Sequence, residues 1–267
     1  MSSQTALMIS VVSGKETLAA LEGGADIIDV KNPAEGALGA PTPAAVQDVC
    51  LRLKGSKPFS IALGEFPGKP CAAALAALGS AFFRPDFVKI AFIPHHSPEE
   101  ICKTLQEIKK SLSIIDFKRI SLVSVAYADT LSFASWKLER FAEASREGGA
   151  DGCLVDTWEK KNKTLLDYLP LDAIQKWIGE CHRQELFCGL AGSLSFADVA
   201  SISRFEPDII GVRSAVCGGD RLGGTVSAPK VKALKEIIDR RKHETEYRSP
   251  DRYLPARGRQ AFQDLGH

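Results

Sequence analysis

Several common signatures are missing from this sequence. It has no C-x-x-C pair, no G-x-x-x-x-G-K-[ST] loop and no dinucleotide-binding glycine fingerprint, so zinc ribbons, thioredoxin-like redox centres, P-loop nucleotide sites and Rossmann cofactor sites are not indicated. Its seven cysteines are odd in number and mostly sit inside apolar runs, which argues against a disulfide framework and for a reducing compartment. Charge of either sign is not in excess: 34 lysines and arginines against 33 acids give a net +1, too little for a global field that attracts nucleic acid. No apolar run is long enough for a membrane span, and MSSQTALMISVVSG lacks the basic start of a signal peptide. The expected location is the cytoplasm, with no nucleic-acid and no membrane partner.

What is present is an ordinary globular composition, 45% hydrophobic and 25% charged over 267 residues, enough to bury one large core. Short β-branched or apolar runs alternate with helical stretches. The predicted strands are 6–13, 25–33, 59–66, 86–93, 119–129, 151–158, 186–193 and 208–216. Between them lie helix-forming segments such as TPAAVQDVCLRLK, with Thr42 as N-cap and Pro43 at the first helical position, and SPEEICKTLQEIKKSL, with acids in its first turn. Further helices are expected over 132–149, 171–184 and 195–205. Eight regular βα units with no switch of pattern predict a single TIM (β/α)8 barrel over residues 1–242. The stretch 243–267 is charged, contains proline and lacks apolar periodicity, so it reads as a C-terminal extension outside the barrel.

Barrel strands alternate between a helix-facing and an interior-facing side. In ADIIDVKNP, Asp29 and Lys31 have the parity opposite to Ile28 and Val30; if the branched residues meet the helices, the charged pair points inward near the mouth. Lys89 in FVKIA repeats the anomaly, and CLVDT places Asp156 at the end of the sixth strand, with Lys160 and Lys163 just beyond. A lysine stripped of water beside other cations loses basicity, and its neutral amine can form a Schiff base with a carbonyl. A structural ion pair is the alternative for any one such lysine; two at matching strand ends with two aspartates favour chemistry.

The ends of the seventh and eighth strands, where barrels often hold phosphate, read LAGS and GVRSAVCGGDRLGG. Gly192 and Ser193 offer unhindered N–H groups there, and Arg213, Gly218 and Gly219 complete a candidate phosphate cradle; turn formation alone is the competing role. His95 and His96 are expected to be exposed loop histidines, His182 to face solvent from a helix, Cys153 and Cys188 to be core residues and Cys217 to be accessible. No metal site emerges, and KVKALKEIIDRRK reads as the polar face of the last helix.

Taken together, ADIIDVKNPAEGALGA, DFVKIAF, LVDTWEKKNKTLLDY, LAGS and IIGVRSAVCGGDR resemble the (5-formylfuran-3-yl)methyl phosphate synthase family over about residues 7–240. These enzymes, also called 4-(hydroxymethyl)-2-furancarboxaldehyde-phosphate synthases, form the furan ring in methanofuran biosynthesis. The resemblance implies a lyase that condenses two glyceraldehyde 3-phosphate molecules with loss of one phosphate and two waters, and needs neither metal nor organic cofactor. It implies Lys31 as the Schiff-base lysine and Lys89 as the proton-transfer lysine, with Asp29 and Lys160 also involved. WEKKNK offers Lys161 and Lys163 as neighbours of Lys160, and the stretch after His243 departs from the family's compact form. Two other readings compete: a class I aldolase on small sugar phosphates, and a non-catalytic barrel that binds phosphorylated metabolites. Apolar residues on the outer helices leave a homo-oligomer open.

Overall fold

A computed structural model describes residues 5–115, 119–159, 163–218 and 223–246, the side chains of 241–246 excepted. Eight parallel strands close in sequence order into one barrel: β1 (Ala6–Val11), β2 (Ile27–Val30), β3 (Phe59–Glu65), β4 (Phe87–Phe92), β5 (Ser121–Tyr127), β6 (Gly152–Asp156), β7 (Phe187–Leu190) and β8 (Ile209–Val212). Around them stand α1 (Gly14–Glu22), α2 (Pro43–Leu53), α3 (Pro70–Ala81), α4 (Pro98–Leu112), α5 (Leu138–Glu147), α6 (Leu171–Arg183), α7 (Phe196–Ile202) and α8 (Ala228–Glu246). A short antiparallel pair, β9 (Cys217–Gly218) and β10 (Thr225–Val226), precedes α8. The predicted TIM barrel is therefore the observed fold.

Local sequence fixes where the helices begin. Thr42 caps α2 by accepting from the Ala45 amide, with Pro43 in the first turn. Ser97 and Glu100 form a reciprocal capping box on α4, as Ser195 and Asp198 do on α7, each satisfying amides that the helix cannot. The predicted strands overran their pairing at the C-terminal ends. In β2 the ladder stops at Val30, because Asn32 turns back to cap a 3-10 turn over Pro33–Glu35. The helix expected from residue 132 starts only at Leu138, since Ala128–Phe133 coil as a 3-10 turn instead. Nothing in HETE breaks a helix, and α8 runs on to Glu246; residues 247–267 of the expected extension lie outside the described residues.

Side chains split by parity into two cores. Ile9, Ile28, Val30, Val88, Ile90 and Val155 face the helices, while Met8, Ile27, Ala62, Phe87, Leu154 and Phe187 fill the barrel interior. Phe87 and Phe187 meet edge to face at 5.9 Å within that interior.

The bottom rim is closed by a repeated device. Asp26, Asp86, Asp151 and Asp208 each immediately precede an even-numbered strand. Each accepts an amide from the preceding odd-numbered strand: Leu7, Phe59, Leu122 and Cys188, at 2.9, 2.8, 2.9 and 2.7 Å. Lys235, Lys109 and His182 add side-chain contacts to Asp26, Asp151 and Asp208 at 2.9, 2.6 and 2.8 Å. Two of these aspartates end the same tetrapeptide, GGAD. Gly24 and Gly149 take left-handed φ values of 87° and 83°, which favour glycine. The glycines before them have no room for a side chain: a Cβ would lie 2.4 Å from Val231 at Gly23 and 2.7 Å from Leu105 at Gly148.

Three expectations are corrected. His96 is buried, not exposed: its Nδ1 accepts the Ile93 amide at 3.1 Å and its carbonyl accepts Trp136 Nε1 at 2.7 Å, which folds the β4–α4 loop inward. His95 is exposed as expected. His182 is half-buried rather than solvent-facing, because Asp208 draws it against the rim. Cys217 is buried, since β9 pairs with β10 across it. Cys153 and Cys188 are buried core residues, and all seven cysteines are free.

Candidate active site

The branched residues of β2 do meet the helices, so Asp29 and Lys31 turn inward. Asp29 is in register with Ser10 of β1 and Ser60 of β3, and both hydroxyls donate to it: Ser10 Oγ to Oδ2 and Ser60 Oγ to Oδ1, each at 2.8 Å. Lys89 reaches over from β4 and places Nζ 2.7 Å from Oδ1. Burial pushes the Asp29 carboxyl upward, but Lys89, Lys31 and the hydrogen bonds outweigh it and hold the group below its usual carboxylate value. A fully buried carboxylate thus sits between two serine hydroxyls and beside the side chain of Lys89.

Lys31 lies one residue past the end of β2, Lys89 in the middle of β4, and both are buried, 7% and 3% exposed. They line one cleft at the C-terminal mouth together with Asp29, Asp156, Gly192, Ser193 and Arg213. The cleft encloses about 410 Å³ of empty space, part of it open to solvent. Asp156, the last residue of β6, accepts the Thr157 amide at 2.7 Å and is buried on the far wall from β2.

At the strand-seven end, Gly192 and Ser193 both adopt left-handed φ, 116° and 50°. A Cβ on Gly192 would lie 3.0 Å from the Thr157 methyl and 3.2 Å from its amide, so only glycine passes so close to the end of β6. Arg213 lines the cleft, but Nη1 donates to Glu16 Oε2 at 2.9 Å and to the Ser10 carbonyl at 3.0 Å, and Nη2 to Glu16 Oε1 at 3.3 Å. Glu16 is itself buried and also accepts the Val12 amide at 2.9 Å. This pair ties the start of α1 to the end of β8.

Two further predicted residues that the structure describes, Gly218 and Lys163, do not line the cleft. Gly218 is exposed on β9, paired with Thr225, and does not line it. Lys163 stands over the Tyr168 ring, 5.3 Å from its centroid. Lys160, Lys161 and Gly219 lie outside the described residues.

Sequence reasoning missed Ser10, Ser60 and Glu16, which hold the charged groups in place, and Tyr127 with Glu65. Ser10 and Ser60 had a legible signal, since each is a hydroxyl flanked by apolar residues within its strand. Glu16 reads as the acid of a first helical turn, and nothing local marks it as the partner of a residue 197 positions away. Among the described residues no group of three or more His, Cys, Asp or Glu side chains could hold a metal ion, and no helix is long and apolar enough to cross a membrane.

The fold of the solved 3-hexulose-6-phosphate synthase from Salmonella typhimurium superposes with a TM-score of 0.61 at 15% identity, covering 89% of this chain and 100% of that one. Phosphoribosyl anthranilate isomerase from Thermus thermophilus gives 0.60 at 13% identity, over 88% and 99%. At such identities the likeness concerns the fold alone. Sequence relatives are nearer. A (5-formylfuran-3-yl)methyl phosphate synthase of Archaeoglobus fulgidus is 36% identical over 216 residues, 80% of this chain and 92% of that protein. Proteins of the same name from Methanosarcina barkeri and Methanobrevibacter smithii are 35% and 32% identical, over 80% and 87% of this chain and 92% and 98% of theirs. The family model described as 4-HFC-P synthase matches residues 7–235. The chain belongs to the 4-HFC-P synthase family of enzymes.

Proposed function

We propose that this enzyme is a lyase that condenses two glyceraldehyde 3-phosphate molecules into (5-formylfuran-3-yl)methyl phosphate, a step toward a methanofuran-type one-carbon cofactor. The observation that carries the reading is the convergence of Lys31 and Lys89 on one cleft above the buried Asp29. Family membership supplies the identity of the product, through the name its relatives bear.

Lys31 is the covalent residue. Its amine attacks the aldehyde carbon of one triose phosphate and the carbinol loses water, giving an imine. The cationic imine acidifies the adjacent C–H, and loss of that proton yields an enamine whose carbon is nucleophilic. That carbon joins the second triose, which gives up its phosphate. The first triose then loses its hydroxyl as water, and an oxygen of the second closes the ring onto the imine carbon and releases the amine. Two triose phosphates, less one phosphate and two waters, equal the furan phosphate. Lys89, fixed by Asp29, moves protons at the reacting carbons, and Asp156 does so from the opposite wall. Gly192 and Ser193 offer amides to a phosphate, while Arg213, engaged by Glu16, shapes that wall and adds positive charge. Lys160 belongs to the same proposal as a further cationic residue of the reaction. No metal and no organic cofactor enters the scheme.

Incubation with glyceraldehyde 3-phosphate alone, followed by mass spectrometry and phosphate release, tests this reading. The furan aldehyde phosphate and free phosphate are expected in equal amounts. An aldolase would yield neither, and a barrel that only binds phosphorylated metabolites would leave the substrate unchanged.

A further inference from the structure

The third strand carries an irregularity with a chemical outcome. Ser60 and Ala62 follow the interior parity, but the register with β4 shifts between Ala62 and Gly64, where φ is 92°. Without that shift Glu65 would share the face of Ile61 and Leu63, which pack on the helices. With it, Glu65 pairs with Ala91, an interior residue, and its carboxylate enters the barrel. Bulges re-aim side chains in this way beside active sites.

Inside, Glu65 accepts the hydroxyl hydrogen bond of Tyr127, the last residue of β5, across the small Ala91 of the strand between them. Tyr127 is fully buried and in register with Asp156, which lines the cleft. The Trp158 ring covers it edge-on at 5.2 Å. Burial first, then Glu65, Asp156 and Asp129, raise the phenol well above its ordinary range, so it stays protonated at working pH. Such a hydroxyl passes a proton on only by receiving one as it gives up its own. Glu65, at the end of β3, is half-buried.

We propose that Tyr127 and Glu65 form a proton relay between the Asp156 side of the cleft and the rim. A proton arriving at the Tyr127 oxygen displaces the phenolic proton to the Glu65 carboxylate, which releases it to water, so the phenol ends neutral and the charge moves by one carboxylate. This rests on the proposed condensation, which must take protons off carbon and deliver them to departing oxygens in each turnover.

Tyr127→Phe, Glu65→Gln and the double variant are compared with the wild type for furan formation, KM, solvent deuterium isotope effect and thermal midpoint. Each single change is expected to lower kcat by about 10²-fold with KM unchanged, to raise the isotope effect on kcat, and to leave the double variant no slower than either single, since the two act as a unit. Wild-type kcat in Glu65→Gln, whose amide oxygen still accepts from Tyr127, overturns the relay even if Tyr127→Phe fails to fold. So does a double variant slowed by the product of the single effects. Absence of furan from the wild type itself defeats the underlying reaction instead, and is seen before any variant is compared.

Discussion

The two rims of the barrel use aspartates in different ways. At the bottom, Asp26, Asp86, Asp151 and Asp208 each accept a strand amide, and Lys235, Lys109 and His182 contact Asp26, Asp151 and Asp208. At the mouth, Asp29 gives both oxygens to side chains, two serines and Lys89, and that lysine faces a cleft. A carboxylate that holds backbone stabilises the sheet; one that holds another charged side chain orients it. The partners separate Asp29 from the four aspartates of the bottom rim.

Four substitutions sharpen or break this contrast. Lys31→Arg keeps the charge but forms no imine, so furan production should fall on the order of 10⁴-fold or more with the circular dichroism spectrum intact; measurable turnover would remove Lys31 from its role. Asp29→Asn leaves the Lys89 ammonium without a buried counter-charge and should cost about 3–5 kcal/mol in denaturant unfolding as well as activity. The folded Asp29 carboxyl titrates below its ordinary value of about 3.9. Its stabilisation is therefore complete above that pH and lost as pH falls through the lower folded value. The gap between wild type and variant should close only in strong acid.

At the other rim, Asp86→Ala strips the Phe59 amide of its acceptor and should cost about 1–3 kcal/mol while the wild-type furan rate is retained. A lost rate would erase the distinction between the rims. Smallest is His182→Gln. The hydrogen bond that His182 donates to Asp208 raises the imidazole pKa against the pull of burial. Its stabilisation is thus full below about pH 6.5 and fades as pH rises through the higher folded value. The thermal midpoints of wild type and variant should differ in mildly acidic buffer and converge in alkaline buffer.

The barrel was legible because eight apolar runs alternate with capped helices, and Thr42 and Ser97 act where the sequence places them. Strand ends were less legible: β2 stops before Lys31 and β8 before Arg213, because pairing in a closed barrel ends where neighbours diverge, which no single strand encodes. The inward parity of Asp29, Lys31 and Lys89 followed from the period of two. Glu65 did not, since one shifted residue at Ala62–Gly64 inverts the parity beyond it. Arg213 carried the right charge for a phosphate cradle, yet its pairing with Glu16 joins opposite ends of the chain and only tertiary structure reveals it. The GGAD repeat at Asp26 and Asp151 was a readable sign of the bottom rim, and its meaning lay in the amides those aspartates accept.

Borohydride trapping with glyceraldehyde 3-phosphate, followed by peptide mass mapping, tests the covalent step most directly. The account predicts a triose-derived mass increment on the peptide containing Lys31, dependent on substrate and absent from Lys31→Arg. An increment on a different lysine, or an unmodified Lys31 while furan accumulates, would contradict it.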